Sequence, residues 1–346
     1  MSSSSAMPRK ATLSDVATAS GVSKATVSKA LNGRDDVSAE TRERVLAAVA
    51  ELDYRPTTSP AADGRRAIAV AFDIPASPYI LNVLQGVLAS ATDNRLDLLT
   101  RLAPDRTVRT QRAVAHAWIA DQRAAGVIGV VGLTLSRPDA LLDAAAEAKL
   151  PFVMVDPVDT AHRRLVSIAS SNWAGARAAV DYLISLGHRR IAWIGGPESS
   201  VAARDRLYGY RAALDAADLE ADPTMAVSDQ FDVAAGARHA REMLTTSRPP
   251  TAIMAADDEI AVGVLATARE LGVRVPEDLS VIGFDDTPQA PWTTPPLTTV
   301  RQHLEDMGRM AVQTVESLAA GQPPVSRHVE LATTLTIRET VAPPAE

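Results

Sequence analysis

The segment GVSKATVSKALNG, residues 21–33, decides the fold of the first part of this 346-residue chain. Gly21 can adopt the positive φ that ends a helix. Ser23 can cap a second helix that starts only two residues later. The segment contains two lysines, Lys24 and Lys29, and no acidic residue, although the whole chain has a net charge of −7. The pattern therefore predicts a tight helix–turn–helix whose second helix is basic within an acidic protein.

The residues on both sides of this segment complete a unit of three helices. Thr12 and Asp15 have the spacing of a capping box at the start of a first helix. A third helix is predicted to begin after the cap Ser38, beyond the break at residues 32–33. The apolar residues expected to form a shared core are Leu13, Val16, Ala17, Val27, Ala30, Leu31, Val45, Leu46, Val49 and Leu52.

The outward face of the second helix carries groups that suit double-stranded DNA. In a helix–turn–helix protein this helix enters the major groove with its N-terminal residues at the base edges. Lys24 and Lys29 can donate to guanine or phosphate, and Ala25 can contact a thymine methyl group. An alternative is an unrelated packing unit whose lysines are only solvated. The predicted DNA-contacting residues are Thr12, Ser23, Lys24, Ala25, Thr26, Ser28, Lys29 and Asn32.

Composition and charge place this unit on an ordinary globular protein. The chain is 46% hydrophobic and 22% charged, and its length predicts two or three folding units. Residues 1–66 contain ten Lys/Arg and eight Asp/Glu, so the remaining residues carry a net charge of −9. Residues 1–10 lack the apolar core of a secretory signal and are predicted to be a disordered tail. No apolar run approaches the ~20 residues that cross a bilayer, so no membrane partner is expected.

Several classes of chemistry are not expected from the sequence. The chain has no cysteine, and its six histidines are scattered without an i,i+4 pair, which argues against a zinc site. The absence of cysteine suits the cytoplasm, where a DNA-binding protein would associate with the nucleoid. The sequence contains neither GxxxxGK[ST] nor GxSxG, and GVIGVVG, residues 126–132, lacks the spacing of a dinucleotide loop. We therefore expect no cofactor, no metal and no catalytic residue.

The remainder of the chain alternates short apolar runs with helical patterns, which is typical of parallel, doubly wound α/β sheets. Its length exceeds what one such sheet usually needs, so two lobes are expected. The predicted strands cover residues 67–72, 127–132, 151–155, 191–194, 252–255 and 279–284. The predicted helices cover residues 80–91, 173–186, 206–217, 234–244 and 259–271.

Polar and aromatic residues follow these strands, at the end of the sheet where α/β proteins bind ligands. Carboxylates, a guanidinium and aromatic rings together suit a polyhydroxylated ligand, because paired oxygens bind vicinal hydroxyls and rings stack on C–H faces. These residues are Asp73, Ser77, Tyr79, Asp156, Asn172, Trp173, Arg204, Arg206, Asp257, Asp258, Asp285 and Asp286.

Most of these residues also have a structural interpretation. Asp258 and Asp286 could cap the helices that follow them. Trp173 could pack in the core, and Arg204 or Arg206 could form a surface ion pair.

Residues 11–56, ATLSDVATASGVSKATVSKALNGRDDVSAETRERVLAAVAELDYRP, resemble the DNA-binding head of the LacI/GalR family almost residue for residue. The resemblance implies that Lys24 and Ala25 read bases, helped by Ser28 and Lys29. It also implies a homodimer that places two heads on one pseudo-palindromic operator.

The resemblance continues almost to the end of the chain. SSNWAGARAAVDYLISLGHRRIAWIGGPESS, RDRLYGYRAAL and GFDDTP are similar to the effector-binding core of that family, which itself resembles two-lobed periplasmic sugar-binding proteins. It implies that Arg206, Asp257 and Asp285 grip the effector and that Phe231 stacks on it. The family usually has asparagine where Asp257 stands, so this position has lost a donor. With the residues that follow strands, the predicted effector contacts are Tyr79, Asp156, Trp173, Arg206, Phe231, Asp257 and Asp285.

The linker TTSPAADGRR, residues 57–66, departs from the family pattern. Relatives form a short hinge helix here, and a leucine of each subunit wedges into the minor groove. Asp63 stands at that position and Pro60 lies inside the expected helix, so we predict a flexible tether that bends its operator less. Arg65 and Arg66 could contact phosphates instead.

These features predict four segments and one leading function. The segments are a tail (1–10), a helix-turn-helix domain (11–56), a linker (57–66) and a two-lobed effector-binding and dimerisation domain (67–342). The predicted function is an effector-controlled repressor of carbohydrate-use genes, and SNWAG resembles the subgroup that responds to plant-derived sugars. Alternatives are a nucleoside or purine sensor of the same fold, and a sugar-handling protein with an appended DNA-binding head. The C-terminal VAPPAE has no leucine heptad, which predicts a dimer rather than a tetramer.

Overall fold

The computed structural model describes residues 12–31, 37–52, 66–73, 77–104, 111–136, 138–158, 162–220 and 222–345. It divides into two compact units, termed the head and the body, and the chain passes from one to the other between Arg65 and Arg66. The predicted tail and nearly all of the linker lie outside the described residues.

The head consists of α1 (Leu13–Ser20), α2 (Lys24–Leu31) and α3 (Ala39–Glu51). Both sides of the predicted capping box are present between Thr12 and Asp15, and Gly21 ends α1 with φ 68°. The hydroxyl of Ser23 accepts a hydrogen bond from the Thr26 amide at 3.1 Å and so caps α2. The three-helix prediction is confirmed, and the capping box, the turn at Gly21 and the cap Ser23 form as expected; the predicted break at residues 32–33 lies outside the described residues.

The centre of the head core contains one fully buried valine from each helix. Val16, Val27 and Val45 are fully buried and pack together. The prediction was wrong for Leu46, which is 50% exposed. Successive helical residues point about 100° apart, so Val45 and Leu46 cannot both face the same small core.

The body contains two sheets that each have six strands within the described residues. All neighbouring strands are parallel except β10 and β12. The first lobe has the order β11 (His328–Leu331), β5 (Ser167–Ser170), β4 (Phe152–Val155), β3 (Val127–Leu133), β1 (Ala67–Phe72), β2 (Asp97–Leu102). The second has the order β12 (Thr334–Thr336), β10 (Thr298–Arg301), β9 (Ser280–Asp285), β8 (Ala252–Ala255), β6 (Ile191–Gly195), β7 (Ala226–Ser228).

Among the described residues of the body, six helices pack in three pairs. The first lobe contains α4 (Pro78–Asp93), α5 (Gln111–Ala124), α6 (Asp139–Glu147) and α11 (Leu304–Ala319), and the second contains α7 (Asn172–Ser185), α8 (Val201–Ala216), α9 (Val233–Leu244) and α10 (Asp258–Glu270). The pairs are α4 with α11, α7 with α8 and α9 with α10. Gly86 of α4 and Gly308 of α11 face each other so closely that a Cβ on either would meet the backbone of the opposite helix. Such close approach of two backbones requires glycine at both positions.

The chain crosses between the lobes three times, after β5, after β10 and after β11. The first and third crossings are joined, because the Thr333 amide donates to the Ser171 hydroxyl at 3.2 Å and the Ser171 amide donates to the Leu331 carbonyl at 2.9 Å. The prediction of two doubly wound lobes is confirmed. The sequence analysis missed β2, β5, β7, β10, β11 and β12, which are short or lie toward the sheet edges, and the helices α5 and α6.

Candidate functional site

The outward face of α2 has the polarity that DNA contact requires. Lys24, Ala25 and Lys29 are exposed, whereas Thr26 and Ser28 are half-buried. The apolar residues Val27 and Ala30 are buried on the opposite side of α2, so the outward face carries mainly small and polar residues. Of the other predicted contacts, Thr12 and Ser23 have hydroxyls engaged as helix caps, and Asn32 lies outside the described residues.

The second candidate site lies in the body, where parallel strands end. Asp156 directly follows β4 of the first lobe, Asp285 ends β9 of the second lobe, and Asp257 precedes α10. With Arg206 of α8 these residues form a buried group, which we term the central cluster. Its members are between 3% and 8% exposed.

Arg206 is held from several sides. Its Nε donates to Asn172 Oδ1 at 2.7 Å, and its Nη1 donates to the Ala256 carbonyl at 2.6 Å. Nη1 also lies 3.4 Å from Asp285 Oδ1, and the guanidinium covers the Phe284 ring at 3.8 Å. A guanidinium fixed in this way is preorganised, so little rotamer entropy remains to be lost when a ligand binds.

The carboxylates of the second lobe are positioned by separate hydrogen bonds. Asp285 accepts from the side-chain amide of Gln302 at 2.5 Å. Asp257 caps α10, because its Oδ1 accepts from the Ile260 amide at 2.7 Å. Oδ1 of Asp257 is thus occupied by the α10 cap. The carboxylate lies at the N-terminus of this helix, where the helix dipole favours negative charge.

The first lobe contributes a tyrosine–aspartate pair. The Tyr79 hydroxyl donates to Asp156 Oδ2 at 2.5 Å and links the first turn of α4 to the end of β4. Burial and the adjacent Asp156 raise the pKa of Tyr79 well above its ordinary value, so it remains a donor.

Burial dominates the electrostatics of the cluster. It raises the pKa of Asp156, against the lowering effects of the Tyr79 hydrogen bond and the Arg206 charge. It raises the pKa of Asp285 to about 6, again opposed by Arg206. Burial and, next, the charge of Asp285 raise the pKa of Asp257 well above its ordinary value. The cluster therefore contains three carboxyl groups, and the positive charge of Arg206 does not offset the effect of burial on their pKa values.

The backbone is unusual where these strands end. Thr134, Asp156, Asp285 and Asp286 have φ values of 46°, 44°, 109° and 54°. Residues other than glycine rarely adopt a positive φ, and those that do are often found at binding sites. Two of these four residues, Asp156 and Asp285, are members of the central cluster.

Two predicted aromatic contacts, Trp173 and Phe231, are not members of the central cluster. Trp173 directly follows Asn172 and is 42% exposed, with the Arg177 guanidinium 5.4 Å from its ring centre, so its interpretation as a core residue is wrong. Phe231 is half-buried against Gly196, where its ring leaves no room for a Cβ. Within the described residues no hydrogen bond or ion pair joins either ring to the central cluster.

The structural interpretations of the neighbouring charged residues also change. Asp257, not Asp258, caps α10. Asp258 is buried, accepts hydrogen bonds from Thr287 and Thr299, and has its pKa raised to about 7 by burial and then by Asp285.

The two remaining candidates have roles other than those expected. Asp286 does not cap a helix but binds Arg338 of the C-terminal segment at 2.6 Å. Arg204 is exposed and donates to the Glu198 carbonyl at 3.0 Å.

Sequence reasoning missed Gln302, and it named Asn172 among the strand-end candidates but not among the predicted effector contacts. Gln302 follows β10, and Asn172 follows β5, two strands that the sequence analysis did not predict. Both side chains position members of the central cluster. Prediction of β10 would have placed Gln302 among the strand-end residues.

Other classes of site find no support in the described part of the chain. It holds no group of three or more His, Asp or Glu side chains arranged to bind a metal ion. None of its helices is both long and apolar enough to cross a bilayer.

Comparison with known proteins agrees with this arrangement. Residues 12–57 match the family described as bacterial regulatory proteins, lacI family, and residues 180–341 match a periplasmic binding protein-like domain. The HTH-type transcriptional regulator CelR of Thermobifida fusca is 34% identical over 96% of this chain and 98% of its own.

Two solved structures have the same fold over almost the whole chain. The complex of CelR with cellobiose has a TM-score of 0.70 and 32% identity, covering 95% of this chain and 99% of that one. The lac repressor dimer bound to operator and the anti-inducer ONPF has a TM-score of 0.70 and 30% identity, covering 96% and 100%. The chain belongs to the lacI family of bacterial regulatory proteins and is a DNA-binding transcriptional regulator, not an enzyme.

Proposed function

We propose that the protein is a homodimeric repressor of carbohydrate-use genes, controlled by a small sugar that binds between the lobes of its body. It would act in the cytoplasm, on operators in the nucleoid. The observation that carries the effector part is the central cluster, in which Asp156 of one lobe and Arg206, Asp257 and Asp285 of the other converge. The CelR relative is described in complex with cellobiose, which supports a sugar.

The DNA part of the proposal assigns base contacts to α2. Lys24 and Ala25 would read base edges, with help from Ser28 and Lys29. Thr12, Ser23, Thr26 and Asn32 would contact phosphates and set the register. The relative described as a repressor dimer on its operator supports two heads on one pseudo-palindromic site.

The effector part assigns contacts to the residues around the cluster. Arg206 and the three carboxylates would bind hydroxyls, and Tyr79 would hold Asp156 in place. Trp173 and Phe231 would stack on the sugar. Acceptors dominate this site, which favours hydroxyl groups over the mixed edges of a purine.

Control by the effector follows from the position of the site between lobes. A ligand that contacts both lobes favours one relative orientation of them, and only differential binding can shift the equilibrium. Linkage requires that operator DNA change the effector dissociation constant by the same factor as effector changes operator affinity. The linker remains a separate proposal: with Asp63 at the wedge position, the protein would bend its operator less than relatives do.

The experiment that tests the function is selection of a binding site from random duplex DNA, followed by competition with sugars. We expect a pseudo-palindrome bound by a dimer, and a sugar that changes its affinity. Titration of that sugar with and without operator measures the coupling in both directions. The proposal fails if the sugar dissociation constant is the same in both titrations. A sedimentation mass of four chains would contradict the dimer, and a strong central kink in a phasing assay would contradict the linker proposal.

A further inference from the structure

The charges of the effector site do not balance. Asp156, Asp257 and Asp285 are each at most 8% exposed, and among the described residues Arg206 is the cation that acts on all three. The N-terminus of α10 adds the equivalent of roughly half a positive charge beside Asp257. With all three carboxylates ionised, the site would still carry an excess of more than one negative charge.

The site also contains buried acceptor atoms that lack a hydrogen-bond donor in the described part of the chain. Asp156 Oδ1 and Gln302 Oε1 are buried and have no partner with hydrogen-bond geometry among the described residues, although the Ser170 backbone amide lies close enough to the Asp156 carboxylate to lower its pKa. Both residues are more than nine-tenths buried. The other oxygen of Asp156 accepts from Tyr79, and the Gln302 amide nitrogen donates to Asp285, which fixes both side chains in the site. A ligand that completes these groups must supply donors.

The choice of donor is decided by charge. A hydroxyl satisfies a single acceptor but leaves the excess negative charge in a buried place, where an unpaired charge is costly. An ammonium group supplies three donors and a positive charge at one point. Its hydrogen bonds to carboxylates are charge-assisted and roughly twice as strong as neutral ones.

We propose that this site binds a polyhydroxylated ligand that carries a protonated amine, an amino sugar or an oligomer of one, with its ammonium group among the carboxylates of Asp156, Asp257 and Asp285. The inference rests on the proposed function, since it specifies the chemical class of the effector. Arg206, already committed to Asn172, Ala256 and Asp285, orients the hydroxyls of the same ligand. The neutral sugar of the same skeleton would bind the same surface without neutralising it.

The test compares three disaccharides of one skeleton with the full-length protein by isothermal titration calorimetry. Cellobiose, the β-1,4 dimer of glucosamine and the β-1,4 dimer of N-acetylglucosamine differ only in their 2-substituents, as do glucose, glucosamine and N-acetylglucosamine. At a pH that protonates the amine, we expect each amine to bind at least about tenfold more tightly than its neutral partners. The N-acetyl members control for the size of the substituent.

Asp257→Asn supplies the matched variant. Asparagine can still cap α10 through its side-chain oxygen, so the fold is kept, but it cannot ionise and so cannot offer a charged partner to an ammonium group. We expect this variant to lose most of the preference for amines. Glu277→Gln makes the corresponding change at an exposed side chain of the second lobe and should leave the preference unchanged.

The outcomes separate this inference from the proposed function. Equal or tighter binding of the neutral sugars by the wild type would overturn the inference and leave a sugar effector standing. The same holds if Asp257→Asn keeps the full preference for amines. If no amine binds at millimolar concentration the inference is wrong, and if no neutral sugar binds or changes operator affinity either, the proposed function fails with it.

Discussion

The outward face of α2 and the central cluster of the body present opposite kinds of surface. On α2 the cations Lys24 and Lys29 are exposed to water and stand on adjacent turns of one helix. In the cluster the charged groups are buried and come from separate strand ends and helices of both lobes. A DNA duplex can be contacted by exposed side chains of a single helix. A small ligand must be enclosed, so its contacts come from residues that are distant in sequence and that the fold brings together.

The largest expected effect is a loss of body stability when Arg206, the cation of the central cluster, is removed. Arg206→Ala leaves three buried carboxylates without their guanidinium, and breaking such a pairing costs about 3–5 kcal/mol. We expect urea unfolding of the body to show a loss of this size at neutral pH, and a smaller loss at lower pH, where the carboxyls are protonated. Arg204→Ala, an exposed neighbour on the same helix, should change stability by about 0.5 kcal/mol or less. Equal effects of the two substitutions would contradict the comparison.

The second effect concerns the solvated surface of the head. Lys24→Ala removes a proposed base contact and should weaken binding to the selected operator by about 1–3 kcal/mol, with little change in the stability of the head. Arg44→Ala removes the same charge from an exposed position of α3 and should have a smaller effect on operator specificity. Fluorescence anisotropy with operator and with random duplex, at two salt concentrations, separates the two. The assignment of Lys24 fails if both substitutions weaken operator and random DNA alike.

The third effect is the dependence of body stability on pH. Burial raises the pKa of Asp258 to about 7 and of Asp285 to about 6, and holds that of Asp257 well above its ordinary value of 3.8. Between 3.8 and these raised values the folded state binds more protons than the unfolded state. Stability from this source is therefore complete below the unfolded pKa and is lost as the pH rises through the folded pKa.

Asp257→Asn isolates that contribution. We expect the free energy of unfolding of the wild type to fall more steeply than that of the variant as the pH rises above 3.8, by up to roughly 1.4 kcal/mol per pH unit. Burial lowers the pKa of His188, which acts in the opposite sense but equally in both proteins, so the difference reports Asp257. Parallel curves for the two proteins would show that Asp257 is ionised in the folded state.

The same contrast explains how much the sequence could predict. The head follows from signals a few residues apart: the box of Thr12 and Asp15, the turn at Gly21 and the cap Ser23, all of which form. The buried central strands are continuous apolar runs and were predicted, whereas short edge strands such as β7 carry too few apolar residues to be distinguished from loops. Gln302 could not be assigned because its contact with Asp285 depends on strand order, which local patterns do not encode.

The smallest expected effect is a difference in head stability between substitutions at two adjacent residues of α3. Val45 and Leu46 are adjacent apolar residues of α3 that the sequence places in one core, yet Val45 is fully buried and Leu46 is half exposed. Val45→Ala removes two buried methyl groups and should cost about 2 kcal/mol of head stability. Leu46→Ala should change it by about 0.5 kcal/mol or less, because the removed atoms already contact water. Hydrogen–deuterium exchange of residues 13–51 in the full chain measures both, and strong loss of protection in Leu46→Ala would mean that this leucine is covered in solution and that the local pattern was right.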